Sequence, residues 1–184
     1  MEEKDFEEKQ LDSELIFDGK VVHLYKDTVS LPNGKNSTRE YMRHIGAVCV
    51  VPLTDDGKVI CVRQYRYPFA RTLIEIPAGK LDYKGENPEE AALRELREET
   101  GAVCRELIPM GEFFSSPAIL DERIHMYLAK GLTFGDTDFD EDEFIEQAVI
   151  PLEELADMIC RGEITDGKTQ AAVMKAIYIL NKNN

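Results

Sequence analysis

The stretch that decides the fold is IPAGKLDYKGENPEEAALRELREETGA, residues 76–102. Its second half reads as a helix. Asn87 is a good N-cap, Pro88 suits the first turn, and Glu90 sits three residues after the cap, as in a capping box. Ala92, Leu93 and Leu96 form an apolar stripe, and Gly101 ends the helix in the left-handed position that glycine favours. Glu95 and Glu99 are four apart, and Glu95 and Glu98 three apart, so all three carboxylates share one face. Like charges so placed destabilise a bare helix. The bland reading is a solvated face beside Arg94 and Arg97, and charge pattern alone favours it. The sharper reading is a cation site, because carboxylate oxygens suit magnesium or manganese. The segment ahead of the helix tips the balance. A loop that starts at Gly79 and ends at Gly85-Glu86 lets backbone groups approach a ligand closely.

Working outward, residues 46–53 (GAVCVVPL) form a continuous apolar run and predict a central strand. A turn at Asp55-Asp56-Gly57 leads to a strand at 58–66, with Val59, Cys61 and, more weakly, Arg63 alternating. A short strand at 72–76 is stopped by Pro77-Ala78-Gly79. Strands are expected at 103–107, 111–115, 124–132 and 144–150, with an acidic loop at 134–143. Amphipathic helices are expected at 152–160 and 168–180. Toward the N-terminus, residues 1–12 read as a frayed or weakly helical arm. Strands at 13–18, 21–30 and 37–44 follow, punctuated by Gly19-Lys20 and Pro32-Asn33-Gly34-Lys35. These three strands carry few large apolar residues and would be marginal alone. The pattern predicts that they pair with the main domain or with a second subunit. The class is α+β: a mixed β-sheet with helices packed on it, preceded by an antiparallel β meander.

Composition bounds the function. The chain has 184 residues, 43% hydrophobic and 32% charged, enough for one cored domain plus a small appendage. A net charge of −14 repels nucleic acid and anionic membranes, so neither is an expected partner. The same charge repels a phosphate substrate, so an enzyme of this composition acting on phosphates would need cations, magnesium first. The excess acid could equally serve solubility. No apolar run approaches the roughly 18–20 residues that span a bilayer. The N-terminus is charged and lacks the apolar region of a signal peptide, which predicts a cytoplasmic protein. Cys49, Cys61, Cys104 and Cys160 are widely spaced without a CxxC pair and read as buried free thiols. His23, His44 and His125 are scattered and read as structural. No Ser-His-Asp logic, P-loop or GxGxxG is present in the sequence.

Residues 79–102 resemble the Nudix box: Gly, five residues, Glu, seven residues, then Arg-Glu-aliphatic-x-Glu-Glu-x-Gly-aliphatic. After Glu86 come seven residues and then Arg94-Glu95-Leu96-x-Glu98-Glu99-x-Gly101-Ala102. Two positions depart from the pattern. Six residues, not five, separate Gly79 from Glu86, and Ala102 is small for the final aliphatic. The resemblance implies a Nudix-like mixed β-sheet sandwiched between helices, an arm and meander at 1–44, and a hydrolase domain at 45–184. It implies that Glu95, Glu98 and Glu99 bind metal (Mg2+, with Mn2+ possible) together with the Ala78 carbonyl, that Arg94 braces the carboxylates, and that Glu86 is structural or an outer ligand.

Beyond the box the chain resembles the ADP-ribose pyrophosphatase branch, through Val62-Arg63-Gln64-Tyr65-Arg66, Leu73-Ile74-Glu75-Ile76-Pro77-Ala78-Gly79, Ser115-Ser116-Pro117, and the acidic loop 138–143 before Phe144-Ile145-Glu146. That implies a homodimer built by the meander and a catalytic base from the late acidic loop, with Glu141 the best match and Glu143 next. Arg66 resembles a phosphate-binding arginine, since a guanidinium forks onto phosphate oxygens; a surface arginine at a strand end is its plain alternative. Arg39 and Glu75 are candidates for holding adenine or the terminal ribose, and Glu122 for a further acidic group near the metals. The expected reaction is hydrolysis of ADP-ribose, a nucleoside diphosphate, to AMP and ribose 5-phosphate. The rivals are a nucleotide sugar or dinucleotide substrate, a non-catalytic ADP-ribose-sensing domain, which would be expected to lose box carboxylates, and a purely structural acidic domain.

Overall fold

The computed structural model describes residues 2–137 and 144–182. The chain divides into two compact units, Met1–Ile45 with Phe114–Glu122, and Gly46–Phe113 with Arg123–Asn184.

In the first unit, β1 (Lys9–Asp18), β2 (His23–Ser30) and β3 (Asn36–Arg43) form an antiparallel meander in that order. The last four residues of the expected N-terminal arm, 9–12, are strand. Lys9, Gln10 and Asp12 pair with Ser30, Val29 and Thr28, so β1 starts well before residue 13. Only a single 3-10 turn, Glu3–Asp5, precedes it among the described residues. Every residue of β1 is exposed, Leu11, Leu15, Ile16 and Phe17 included. Among the described residues of this unit only Asp27 and Val29 are buried, so the meander carries almost no core of its own.

The second unit contains β4 (Ala47–Pro52), β5 (Lys58–Arg66), β6 (Arg71–Glu75), β7 (Ala78–Lys80), α1 (Pro88–Thr100), β8 (Ala102–Val103), β9 (Glu106–Phe113), β10 (Ile124–Lys130), β11 (Thr133–Phe134), β12 (Ile145–Pro151), α2 (Leu152–Cys160) and α3 (Gly167–Lys182). The sheet is mixed. Its order is β7-β4-β10-β9, with β4 and β10 parallel and the outer pairs antiparallel. A second, antiparallel sheet runs β12-β5-β6, and β11-β8 is a small ribbon.

The apolar run of β4 is explained by cover on both faces. Ala47, Cys49 and Val51 point into a core with Ala172, Val173 and Ala176 of α3. Val48 and Val50 point the other way, into a core with Ala91, Ala92 and Leu96 of α1. Leu96 is fully buried, and truncating such a side chain to alanine costs about 2–5 kcal/mol. Two strands expected at 103–107 and 111–115 are organised differently. Residues 102–103 pair with β11, while Glu106–Phe113 is one strand running through Pro109 and Gly111. Opposite Met126 and Tyr127 the register skips from Gly111 to Pro109, leaving Met110 as the extra residue of a β-bulge. Proline is tolerated there because β9 is an edge strand. The four cysteines are free, and Cys49 and Cys61 are buried as expected, but Cys104 is only partly buried and Cys160, at the end of α2, is exposed. Burial pushes the Cys49 and Cys61 thiols up to about 12. No helix is long and apolar enough to cross a membrane among the described residues.

Candidate active site

The site is built on α1 and the loop ahead of it. Asn87 caps the helix by accepting a hydrogen bond from the Glu89 amide at 3.1 Å, and Gly101 terminates it at φ +68°. One face of α1 packs on the sheet through Ala92 and Leu96. The adjacent stripe of Ala91, Glu95 and Glu99 is drawn inside with it, leaving Glu95 9% and Glu99 5% exposed. Buried carboxylates need compensation, and a guanidinium and a backbone amide supply it.

Arg94 sits among them. Its Nη1 donates to Glu95 Oε1 at 2.7 Å and to Glu98 Oε2 at 3.4 Å. Its Nη2 lies 3.4 Å from Glu86 Oε1 and 3.3 Å from Asp82 Oδ1, and donates to the Lys80 carbonyl. The Ala78 amide donates to Glu99 Oε2 at 3.2 Å. Glu95 lies directly over Gly79: a Cβ on Gly79 would sit 2.1 Å from Glu95 Oε1 and 2.3 Å from Oε2, so only glycine leaves room for the carboxylate. The extra residue between Gly79 and Glu86 is absorbed in a turn. The Glu86 amide donates to the Tyr83 carbonyl, Gly85 takes φ +90°, and buried Glu86 accepts from the Asp82 amide at 2.7 Å. The turn thus returns Glu86 to the guanidinium of Arg94.

Four carboxylates, those of Asp82, Glu86, Glu95 and Glu98, share the single guanidinium of Arg94, and Glu99 adjoins through the strand at Ala78. The surplus negative charge, the all-oxygen donors and the glycine cradle fit a hard divalent cation. The carboxylates are paired off on Arg94 and the Ala78 amide; among the described residues no three of them converge as a ready coordination cage. Arg94 Nε is buried without a hydrogen-bond partner, so the guanidinium is held by its outer nitrogens alone.

The other expected site residues fall in three places. Arg66 and Glu75 meet each other. Arg66 Nε and Nη2 each donate at 2.7 Å to the two oxygens of Glu75, a carboxylate only 2% exposed. Burial alone would raise the Glu75 carboxyl, but the Arg66 hydrogen bond and the Lys168 charge outweigh it and hold it below the usual range. Lys168 also donates to Glu75 Oε2 and lies 3.0 Å from Asp166 Oδ1. Sequence reasoning missed Lys168 at this position, because its partner lies 93 residues away and no local spacing links the two. Arg39 belongs to the meander unit, where it pairs with Glu8 and donates to the Thr38 carbonyl. Glu122, in the same unit, accepts from Ser115 Oγ at 2.7 Å and faces His44 Nδ1 at 3.5 Å. Glu141 and Glu143 lie outside the described residues. His23 and His125 each pair with an acid, Asp18 at 2.6 Å and Glu112 at 3.8 Å.

Comparison with known proteins bears on this arrangement. A family model described as the NUDIX domain matches residues 42–171, which takes in the whole of the Gly79 loop and α1. The chain belongs to the NUDIX family of hydrolases. A second model, the nucleoside diphosphate sugar hydrolase N-terminal domain, matches residues 8–42, the meander. The chain is 47% identical to an ADP-ribose pyrophosphatase of Bacillus subtilis, over 92% of both chains. It is also 47% identical to a methanol dehydrogenase activator of Bacillus methanolicus, over 91% of both. A crystal structure of an ADP compounds hydrolase superposes with a TM-score of 0.86, covering 97% of this chain and 96% of that one at 23% identity, which shows the same fold. NUDIX hydrolases generally require divalent metal ions.

Proposed function

We propose that the protein hydrolyses the pyrophosphate of ADP-ribose to AMP and ribose 5-phosphate, with Mg2+ as the working ion and Mn2+ as a substitute. The observation that carries this reading is the complete set of box carboxylates gathered around Arg94 and Gly79. It is joined to near-full-length similarity to a relative named for that substrate.

Glu95, Glu98 and Glu99, with the Ala78 carbonyl, would hold the metal, and Glu86 would serve as an outer ligand. Bound divalent cations supply charge neutralisation and Lewis acidity to a pyrophosphate. Arg94 holds Glu95 and Glu98 in register, as partners behind metal ligands do. Arg66 commits Nε and one Nη2 hydrogen to Glu75. Its Nη1 hydrogens and the second Nη2 hydrogen have no protein partner among the described residues and suit phosphate oxygens. Glu141, with Glu143 as the substitute, takes the proton from the attacking water. The water oxygen bonds to one phosphorus, and the bridging oxygen leaves on the other phosphate. Arg39 from the meander is assigned to the adenine or terminal ribose, and the exposed apolar side chains of β1 to a homodimer interface. The free thiols accord with a cytoplasmic setting.

A nucleoside diphosphate sugar is the second reading, favoured by the family model that covers the meander. A panel of ADP-ribose and nucleotide sugars with magnesium, read out as released nucleoside monophosphate, separates the two. Cleavage of a nucleotide sugar with ADP-ribose untouched sinks the first reading. A Glu99→Gln variant that keeps full activity sinks the metal assignment.

A further inference from the structure

Lys168 stands in an unfavourable place for a cation. It is in the first turn of α3, where the helix dipole is positive, and its side chain is only 13% exposed. Burial acts to lower its pKa, yet Asp166 and Glu75 together hold it above the usual lysine value. Asp166 serves two partners. Its Oδ1 lies against Lys168 Nζ, and its Oδ2 accepts from the Thr169 amide at 2.9 Å, capping α3. Thr169 Oγ1 in turn accepts from the Ile76 amide at 2.9 Å. The first turn of α3 therefore grips two consecutive residues of one strand end, Glu75 through Lys168 and Ile76 through Thr169.

Buried ion pairs are poor stabilisers, and well-packed apolar side chains of the same volume often do better. What the Lys168 pair achieves is geometric. Glu75 is 2% exposed, and both its oxygens are engaged, Oε1 by Arg66 and Oε2 by Arg66 and Lys168. It has no reach toward a substrate. Its carboxylate plane is fixed from behind by Lys168 and presents a two-point fork to Arg66 in front.

We propose that Lys168, anchored by Asp166, is a positioning residue that locks Glu75 so that the half-exposed guanidinium of Arg66 is held in one orientation toward the anionic substrate. The part concerning substrate rests on the assignment of Arg66 to phosphate oxygens. Glu75 accordingly acts through Arg66 and not by touching adenine or ribose.

The test uses the full chain and two readouts. In Lys168→Met, the Arg66 Nε–H nuclear magnetic resonance signal, assigned by its loss in Arg66→Lys, exchanges with water about tenfold faster, the scale on which losing a charged partner of a buried carboxylate is felt. In the same variant KM for ADP-ribose rises about tenfold while kcat stays within about threefold, the mark of lost binding and not of lost chemistry. Lys168→Arg keeps a charged donor on Glu75 and returns most of both effects. An Arg66 signal unchanged in Lys168→Met overturns the proposal, whatever the kinetics. A loosened Arg66 with an unchanged KM upholds the lock and overturns only the placing of Arg66 on substrate. If circular dichroism shows that Lys168→Met does not fold, Lys168→Gln takes its place: a faster-exchanging Arg66 signal with a raised KM supports the lock, and an unchanged signal overturns it.

Discussion

Replacing Gly79 by alanine adds one methyl group at the most crowded point of the carboxylate site. The new carbon would lie 2.1, 2.2 and 2.3 Å from Glu95 Oε1, Cδ and Oε2, all far inside contact distance. Gly79 is not in the left-handed region, so the backbone itself accepts alanine and the effect is one of space alone. To reach ordinary contact the Glu95 carboxylate must retreat by about 1 Å or more. That retreat breaks its 2.7 Å bond to Arg94 Nη1. Arg94 keeps Glu86, Glu98 and Asp82, so the loss in folding stability is modest, about 1 kcal/mol. The loss in chemistry is larger: a misplacement of about 1 Å among reacting groups costs roughly 10²-fold. The expected result is a kcat/KM for ADP-ribose reduced about 10²-fold, together with a higher magnesium concentration for half-maximal rate. Gly135→Ala is the matched control, since its methyl would meet only an ordinary 3.8 Å contact. Parental kcat/KM and parental magnesium dependence in Gly79→Ala would refute the placing of Glu95 as a metal ligand poised over Gly79.

Three further outcomes are expected. Glu141→Gln lowers kcat by about 10²–10⁴-fold, as loss of a general base does, with KM little changed, while Glu143→Gln stays near the parent; the reverse order in steady-state assays reassigns the base. Because Glu75 is held below the ordinary glutamate range, its stabilisation is present at neutral pH and is lost as pH falls from that range through the lower folded value. Urea unfolding at a series of pH values should therefore show the stability gap between parent and Lys168→Met narrowing across that window, and a constant gap rejects the coupling. Cys160 should be alkylated in the native protein, while Cys49 and Cys61, buried with thiols near 12, react only after unfolding; mass spectrometry of labelled peptides decides.

The parts of the molecule that could be read in the sequence are those set by local rules. The Asn87 cap, the Gly101 stop and the period of Ala92 and Leu96 define α1 to within a residue, and the run at 46–53 announces a strand covered on both faces. Where the sequence misleads, tertiary context overrides a local signal. Pro109 and Gly111 look like strand breakers, yet an edge position and a bulge at Met110 keep β9 continuous. Residues 9–12, polar but for Leu11, look like a frayed arm, yet pairing with 28–30 makes them strand. The site divides the same way. Arg94 and the carboxylates lie within one helix and its loop, so spacing shows them together. The Arg66–Glu75–Lys168 chain joins two strands and a distant helix, and nothing in the spacing of these residues announces it.

That difference in span has a bearing on how the two halves of the site come and go. The Glu99–Ala78 bond closes a loop of 21 residues, whereas the Lys168–Glu75 bond closes one of 93. Long loops cost more entropy to close and form late in folding. Partial opening of the native chain should run in the opposite order, with the C-terminal helix leaving before the carboxylate helix is disturbed. A molecule with α3 detached would still hold the cation donors beside Gly79, but Arg66 would be unmoored. Grip on the substrate and grip on the metal then become separable properties of one polypeptide, lost at different denaturant concentrations and open to selection one at a time.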